Sequence, residues 1–360
     1  MPADPWTRPS ALPPSTRLES RGYTPCIPRN LASRSRLTSS QFSTLKSRLI
    51  NFAAVFAAFL TTILYSISFV CGHRSAKLIG GTEANFWRLT LAVTFLGLWS
   101  YSFGHGLSGD SFPMFLFSGI IGIGIADVAL YQALPRLGSR LTILLVQCLS
   151  APIGALIEWV WLGTALSLAQ ILCGIIILAG VGLALTPSEH LRLTRRELVT
   201  GGLFSLLAAA GGALGAVLSR KAFAIAQNAH QPMDGGTATF QRVVGGLFVG
   251  GICLLIVKRR AFRIQANAPH KLIVEASMKK WRGVWLWLLA NSVSGQTLGS
   301  SCMQWALKTM PAGIVLAIIA LSPVVVIPFA VVVEGERPTW RSFIGGVIAV
   351  AGVIALTWLR

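Results

Sequence analysis

Residues 141–188 read LTILLVQCLSAPIGALIEWVWLGTALSLAQILCGIIILAGVGLALTPS, and Glu158 is the one Asp, Glu, Lys, Arg or His among these 48 positions. A stretch of this length accommodates two membrane-spanning helices of about 20 residues each. Gly163-Thr164 interrupts the apolar run and is typical of a turn. The sequence therefore predicts two neighbouring spans here, at 141–162 and 166–186.

A series of short Ala, Pro and Gly motifs in this stretch and just before it occurs a second time near the C-terminus. The first copy contains, in order, Ala133-Leu134, Ala151-Pro152, Gly174 and Ala179-Gly180-Val181. The second copy contains, in the same order, Ala306-Leu307, Ser322-Pro323, Gly345 and Ala351-Gly352-Val353. The distance from the proline to the first glycine is 22 residues in both copies. A hydrophobic chain duplicated in this way is typical of a membrane transporter built from two repeats.

The composition excludes an ordinary soluble protein. The 360-residue chain is 53% hydrophobic and only 12% charged, whereas soluble domains carry roughly 25% charged residues. Its net charge of +19 raises the alternative of nucleic-acid binding. We reject that alternative because the basic residues lie in the N-terminal tail and in the loops between spans, where lipid headgroups and membrane topology account for them. The lipid bilayer is therefore an expected partner, and nucleic acid is not.

The N-terminal residues 1–50 differ from the rest of the chain. They are rich in Lys, Arg, Ser, Thr and Pro and poor in acidic residues, so they cannot bury a core and are expected to be disordered. Three interpretations stay open: an organelle transit peptide, a solvated tail, or a start codon assigned too early. The orientation of the chain in the membrane also stays open. The basic tail favours a cytoplasmic N-terminus, whereas the Lys and Arg residues of the loops favour an N-terminus on the opposite side.

Ten apolar segments after this tail have the length of a membrane span. They are 51–71, 84–104, 112–133, 141–162, 166–186, 198–219, 237–257, 284–305, 312–333 and 341–359. The first five form one repeat, residues 51–186, and the last five form another, residues 198–360. Because five is odd, two tandem copies enter the bilayer in opposite orientations, related by a pseudo-two-fold axis in the membrane plane. The predicted fold is thus an all-α integral membrane protein of ten transmembrane helices in two inverted five-helix repeats, with a site at their interface.

These features resemble the EamA family of the drug/metabolite transporter superfamily over residues 51–360. The resemblance is carried by the Ala-Leu that ends each third span, the Ser/Ala-Pro early in each fourth span and the Gly-rich fifth span. Arg88 and Arg242 match the arginine near the start of the family's second span, and Gly335-Glu336-Arg337 matches its Gly-Glu-Arg after the fourth. The first repeat has Gly163-Thr164-Ala165 there instead. The resemblance implies a transporter of a small metabolite and fixes neither the substrate nor the coupling ion.

Four ionisable residues are expected inside the spans, where a charge costs a few kcal/mol at the helix centre: Arg88, Asp127, Glu158 and Arg242. Arg88 and Asp127 lie at similar depths from the same membrane side, so we predict an ion pair between them. The pair either serves transport or only neutralises two buried charges. Glu158 is expected near mid-span, where it either carries a coupling proton or stays protonated and hydrogen-bonded within the bundle.

Arg242 occupies the matching place in the second repeat, but no acidic residue is expected at its depth. The neutral residues expected there are Gln296, Thr297, Ser300 and Ser301. Either Arg242 keeps a positive charge that attracts a carboxylate or other anionic group of a substrate, or its side chain snorkels to the membrane interface. Asn291 and Gln147 are further deep polar residues, which either bind substrate or cross-link helices.

Two prolines are hinge candidates. Pro152 and Pro323 lack a backbone N–H, so they free the carbonyls of Cys148 and Ile319 and bend the fourth span of each repeat. Broken backbone at membrane depth usually lines a cavity or is covered by protein. A static kink is the alternative to a hinge.

The leading functional hypothesis is a secondary transporter that exports a small polar or amphipathic metabolite, such as an amino-acid-like solute, by alternating access. The alternatives are a nucleotide-sugar or triose-phosphate-type carrier of the same superfamily and a membrane protein without transport activity. An enzyme is not expected, because the sequence shows no nucleophile–base set, metal-ligand cluster or phosphate loop, and we predict no cofactor and no metal. Protons are the candidate coupling ion, a homodimer is the candidate assembly, and the cell membrane is the expected location, with an organelle membrane as the alternative.

Overall fold

The computed structural model describes residues 39–163, 166–185, 194–265, 281, 283–322, 324–325 and 340–358. Within these residues the regular structure is helical and there is no strand. Residues Lys46–Arg360 form one compact unit, which contains all the predicted spans.

The described helices are joined mostly by short connections. Their bounds are α1 (Ser39–Ile79), α2 (Gly81–Phe103), α3 (Phe112–Gly119), α4 (Ala126–Leu162), α5 (Leu168–Leu185), α6 (Arg195–Asn228), α7 (Gly235–Gln265), α8 (Val284–Asn291), α9 (Ser300–Thr309), α10 (Ala312–Ile319) and α11 (Trp340–Trp358). Two π-helical segments, Ile120–Ile125 and Ser292–Gly299, join α3 to α4 and α8 to α9. Five stretches of the described chain are long and apolar enough by composition to cross a membrane: Phe52–Ile79, Phe112–Ala133, Leu145–Leu162, Arg195–Asn228 and Gly235–Arg259.

Helix α1 begins earlier than predicted. Its first residue is Ser39, so residues 39–50 are helical rather than disordered. This segment contains neither proline nor glycine, so nothing in it stops the helix of the first span from extending backwards. The rest of the predicted tail, residues 1–38, lies outside the described residues.

Helical residues run without a break through α4, although the sequence predicted two spans with a connection at 134–140. The first part of α4 runs antiparallel to α6. Gly211 of α6 packs against Ala126, and Gly201 packs against Leu137. As the chain advances along α4, its contacts therefore move back along α6.

The second part of α4 runs in the opposite direction along the same helix. The hydroxyl of Ser150 donates to the carbonyl of Ala209 at 3.4 Å, and Gly154 lies against Ala213. Contacts now advance together along both helices, so the chain has reversed direction between the two parts. The third and fourth spans are therefore separate antiparallel legs, as predicted, but the residues that connect them remain helical.

Corresponding helices of the two repeats pack in opposite directions. In α2 and α7, Glu83 lies 3.2 Å from Lys258 at one end, and the hydroxyl of Ser100 donates to Thr237 at 3.2 Å near the other. Low residue numbers in α2 thus face high numbers in α7, so these two helices are antiparallel. Since both are the second span of their repeat, the repeats are inverted with respect to each other.

The fifth spans repeat the same relationship. Gly180 of α5 packs against Ala349 of α11, while Gly352 packs against Ile177. These contacts also run antiparallel. The missing glycine side chains allow the two helices to approach closely at this contact.

The first helix of each repeat packs against the other repeat. Thr61 and Thr62 of α1 donate to the carbonyls of Gly299 and Ile318, each at 3.2 Å, in the third and fourth spans of the second repeat. In the same way, α6 packs against both legs of α4. This exchange brings side chains from both repeats to one interior surface.

Candidate functional site

A cavity of about 180 Å³ lies between the two repeats. Its walls come from α1, α2 and α4 of the first repeat and from α6, α7, α8, α9 and α10 of the second, together with both π-helical segments. Seven of the eight residues predicted for a substrate or ion pathway line it: Arg88, Asp127, Gln147, Arg242, Asn291, Gln296 and Ser300. Glu158 is the candidate that does not.

Arg88 and Asp127 form the predicted ion pair. Nη2 of Arg88 lies 2.5 Å from Oδ2 of Asp127, with the two side chains 9% and 15% exposed. Nε of Arg88 donates to Oδ1 of Asn85 at 2.8 Å, and its guanidinium lies 5.7 Å from the ring centre of Tyr131. The hydroxyl of Ser292, from the second repeat, donates to the backbone carbonyl of Arg88 at 2.9 Å. The charge of Arg88 is therefore neutralised within the cavity.

Arg242 forms no ion pair within the described residues, although it is near enough to Asp127 for the two charges to interact electrostatically. The residue is 2% exposed, and its Nε donates to the hydroxyl of Ser118 at 2.9 Å. Ser118 is itself held by the Ser219 hydroxyl at 2.9 Å and by the carbonyl of Gly215 at 2.6 Å. Across the described residues, neither terminal nitrogen of Arg242 has a hydrogen-bond or ion-pair partner. Together with Arg88 and Asp127, Arg242 leaves one net positive charge in the cavity.

Neutral polar side chains surround these charges. The hydroxyls of Tyr65 and Ser300 lie 3.0 Å apart, and Ser300 donates to Oε1 of Gln296 at 3.1 Å. The hydroxyl of Ser68 donates to Oδ1 of Asn291 at 2.6 Å. Several of these bonds join α1 to the second repeat, so they both cross-link helices and present polar atoms to the cavity.

The EamA-like transporter family matches the sequence over residues 52–186 and 199–358. The chain belongs to this family. None of the curated proteins compared with the chain matches it. One similar solved structure, described only as "Crystal structure of protein", is 17% identical in sequence and has a TM-score of 0.64. The match covers 85% of this chain and 96% of that chain, and at this identity it shows a shared fold alone.

Family membership and the apolar helices together assign the chain to a membrane. The chain is an all-α integral membrane protein of the drug/metabolite transporter superfamily, and its helices fit membrane spans by length and composition. The two matched segments contain α2 and α7, which run antiparallel in the structure. The predicted class, two inverted five-helix repeats, is confirmed.

Glu158 occupies a different place from the one expected. Its Oε1 lies 2.8 Å from Nη1 of Arg220, and its Oε2 accepts from the backbone N–H of Ala312 at 2.6 Å. Ala312 is the first residue of α10, where the helix dipole favours a negative charge. Glu158 therefore contacts Arg220 near the end of its span rather than lying near mid-span, and its role as a proton carrier or a protonated group stays a prediction.

Of the two hinge candidates, Pro152 is described and Pro323 lies outside the described residues. Pro152 is exposed, and α4 remains helical through it. It lines a second cavity of about 460 Å³ between α4, α5 and α10, whose walls are mainly apolar and include Trp159 and Leu178. Pro152 thus does not contact the cavity between the repeats, and its role as a hinge stays a prediction.

Sequence reasoning missed four residues of these networks: Tyr65, Ser118, Tyr131 and Arg220. Serine and tyrosine carry no formal charge, so nothing in an apolar span marks them as partners of an arginine. For Arg220 a signal was available, because it follows directly after the predicted end of its span at 219 and is the nearest cation to that end. In the described part of the chain, no group of three or more His, Cys, Asp and Glu could hold a metal ion.

Proposed function

We propose that this protein is a secondary transporter that exports a small metabolite carrying an anionic group across the cell membrane by alternating access. The observation that supports the proposal is the guanidinium of Arg242, which is buried at the cavity between the repeats with its terminal nitrogens unpaired. A buried charge without a partner is strongly unfavourable. Such a charge is expected where a substrate of opposite charge offsets the cost.

Alternating access needs contacts that close one side of the cavity at a time. On one side the cavity is lined by His73 and Ile143. Glu158 follows Ile143 by 15 residues along the same leg of α4, a rise of roughly 22 Å, and its ion pair with Arg220 joins the two repeats there. We expect this pair to open, and the walls near His73 to approach each other, when the repeats rock to the opposite state.

Protons are the coupling ion that we propose, and Asp127 is the carboxylate placed to carry them. It is the acidic side chain among the described residues that line the cavity. Protonation of Asp127 would remove the negative charge that holds Arg88. Anion binding would then depend on the protonation state of Asp127.

The size of the cavity favours a small solute over a nucleotide sugar. Its volume of about 180 Å³ is below the roughly 300–1,000 Å³ of sites that enclose drug-sized ligands. An amino-acid-sized solute fills such a space, whereas a nucleotide sugar is larger than most drug-sized ligands. The nucleotide-sugar carrier is therefore the less favoured alternative.

Reconstitution in liposomes tests the proposal. Vesicles containing the purified protein are incubated with a labelled pool of amino acids, organic acids, sugars and nucleotide sugars, and the trapped solutes are measured by mass spectrometry. We expect uptake of small anionic or zwitterionic solutes, a strong dependence on an imposed pH gradient, and loss of uptake in Arg242→Gln. The matched control is Lys258→Gln, because Lys258 is 59% exposed and lies away from the cavity, in an ion pair with Glu83.

Three results would contradict parts of this proposal. Normal uptake by Arg242→Gln, at equal protein abundance, would remove the role of Arg242. Uptake that is insensitive to the pH gradient would remove proton coupling. Exchange of a nucleotide sugar for a nucleotide would favour the alternative carrier.

A further inference from the structure

The pseudo-two-fold relationship pairs each residue of one repeat with a residue of the other. An offset of 154 residues relates α2 to α7, so Arg88 corresponds to Arg242. An offset of 173 residues relates the third span to the eighth, so Asp127 corresponds to Ser300. The second offset also superimposes the two π-helical segments, Ile120–Ile125 and Ser292–Gly299.

A pair of contacts supports this correspondence in three dimensions. The hydroxyl of Ser292 donates to the backbone carbonyl of Arg88. The equivalent residue in the first repeat is Gly119, the last residue of α3, where an added Cβ would overlap the backbone carbonyl of Arg242. A close approach to an arginine carbonyl, at or directly before the start of a π-helical segment, is thus made twice, with the repeats exchanged.

The surroundings of the two equivalent arginines differ by one negative charge. Beside Arg88 the chain places the carboxylate of Asp127. At the position equivalent to Asp127, the second repeat has the neutral Ser300, which is 3% exposed and in hydroxyl contact with Tyr65. Tyr65 and Asp127 are both near enough to Arg242 to interact with it electrostatically, but the ion pair of Asp127 is with Arg88. The second site therefore has the cation and the hydroxyls but lacks the carboxylate.

A second side chain, next to this site but not lining the cavity, also lacks partners. Tyr131, whose ring lies beside Arg88, corresponds to Gln304, one turn after Ser300. Gln304 is fully buried outside the cavity lining, and within the described residues neither its amide nitrogen nor its amide oxygen has a hydrogen-bond partner. Buried polar groups are ordinarily hydrogen-bonded, so the second repeat lacks a carboxylate at the position equivalent to Asp127 and leaves an amide unpaired at the position equivalent to Tyr131.

We infer that the substrate is a small carboxylate, whose carboxylate group occupies beside Arg242 the place that Asp127 occupies beside Arg88. The inference rests on the proposed transport function and adds to it the class of ligand and the residues that bind it. The terminal nitrogens of Arg242 donate to the carboxylate oxygens, a geometry that guanidinium groups favour. The hydroxyl of Ser300 or Tyr65 supplies a further donor.

The net charge of the cavity favours a single carboxylate over a phosphate. Arg88, Asp127 and Arg242 together leave one positive charge, which one carboxylate neutralises. A phosphate ester carries about −1.5 to −2 at neutral pH and would leave excess negative charge in a buried site. A monocarboxylate without other charges therefore leaves the bound state neutral, whereas a zwitterionic amino acid neutralises Arg242 with its carboxylate and adds the charge of its own ammonium group.

Paired probes test the class of ligand in proteoliposomes. Labelled L-alanine, L-leucine, L-phenylalanine and L-lactate are each compared with the corresponding carboxamide, which keeps the shape and removes the negative charge. We expect at least one carboxylate to enter about tenfold faster than its amide, because the amide leaves Arg242 buried without a charged partner. In Arg242→Gln we expect this preference to disappear.

A substitution at Ser300 tests the position of the group. Ser300→Asp supplies the missing carboxylate from the protein itself, so we expect it to occupy the site and lower carboxylate uptake about tenfold relative to Ser300→Asn, which has the same shape without the charge. Protein abundance and the Tm in detergent are measured for both variants. An ion pair with Arg242 predicts that the Tm of Ser300→Asp equals or exceeds that of Ser300→Asn.

The outcomes separate this inference from the transport function. Equal uptake of carboxylates and amides by the wild-type protein, or equal carboxylate uptake by the two Ser300 variants, would overturn the inference and leave transport standing. Uptake from the metabolite pool that is confined to solutes without a carboxylate would do the same. A wild-type protein that takes up nothing from either set contradicts the proposed function, and the inference falls with it.

Discussion

Nη1 of Arg220 lies 2.8 Å from Oε1 of Glu158, and this contact joins the end of the fourth span in one repeat to the end of the first span in the other. The second carboxylate oxygen of Glu158 accepts from the backbone of Ala312, so three segments meet at one carboxylate. Glu158 is 2% exposed and Arg220 is 22% exposed. The two charged atoms are in ion-pair contact but are not aligned for a hydrogen bond.

We predict that Arg220→Gln lowers the free energy of unfolding by about 2–3 kcal/mol, because it leaves the buried carboxylate of Glu158 without a cation. The double variant Glu158→Gln/Arg220→Gln is expected to recover part of this loss, since it leaves no unpaired charge. Denaturant unfolding of the purified variants in detergent measures both effects.

The Glu83–Lys258 pair is the matched control, because it also joins the two repeats but lies at the surface. We expect Lys258→Gln to change the free energy of unfolding by less than about 1 kcal/mol. Equal effects of Arg220→Gln and Lys258→Gln would show that burial of Glu158 adds nothing to the pair.

A double-mutant cycle at Arg88 and Asp127 separates transport from charge neutralisation. We predict that Arg88→Gln and Asp127→Asn each destabilise the protein by roughly 3 kcal/mol, because each strands a buried charge. The double variant is expected to regain stability but not uptake, since its cavity no longer contains the proton-carrying carboxylate. Tm and proteoliposome uptake are measured on the same preparations. A double variant that transports like the wild type would restrict the pair to a structural role.

Gly119 is predicted to tolerate no side chain. A Cβ added there would overlap the backbone carbonyl of Arg242, and a backbone atom cannot move aside as a side chain can. We expect Gly119→Ala to cost about 3 kcal/mol, at the upper end for overpacking, and to lower the yield of folded protein.

Gly202 is the matched control for this substitution, because it also lies in a helix but a Cβ there would meet nothing within 4 Å. Gly202→Ala is expected to stabilise the protein by up to about 1 kcal/mol through higher helix propensity. Similar Tm values for the two variants would contradict the close approach of the end of α3 to α7.

Asp234 is predicted to give the N-terminus of α7 a pH-dependent stability. Burial raises the pKa of Asp234, but hydrogen bonds from the hydroxyl and N–H of Thr237, from Trp99 and from the N–H of Gly236 outweigh it, so the pKa lies below its ordinary value of 3.8. The stabilisation is therefore complete above the ordinary pKa and is lost as the pH falls through the lower, folded-state pKa.

We expect Asp234→Ala to lower the free energy of unfolding by about 1 kcal/mol at neutral pH, as the loss of a helix cap does, and to approach the wild type in strongly acidic buffer. Asp234→Asn keeps a capping oxygen but does not titrate, so its stability should lack this acid transition. Tm values between pH 7 and pH 3 measure the difference. A constant difference between wild type and Asp234→Ala over that range would contradict the prediction.

The sequence predicted the helices more completely than it predicted the contacts between them. The spans, the duplication and the inversion followed from hydropathy and from an odd number of spans, both of which are properties of the sequence order. The pairing of Arg88 with Asp127 followed from depth, because two residues a few positions from the same membrane face lie at one level. The early start of α1 at Ser39 was missed because its boundary is set by the absence of a helix breaker rather than by apolarity.

The sequence alone thus determined that this chain crosses a membrane as two opposed copies and which charges lie inside it, because the cost of exposing polar groups to lipid acts locally on each segment. Only the tertiary structure decided how those charges are used. Glu158 meets Arg220, 62 positions away, and Arg242 donates to Ser118 but forms no ion pair in the described chain. Those outcomes depend on which helices pack together and on how each is rotated, and both are set by contacts between residues far apart in the sequence.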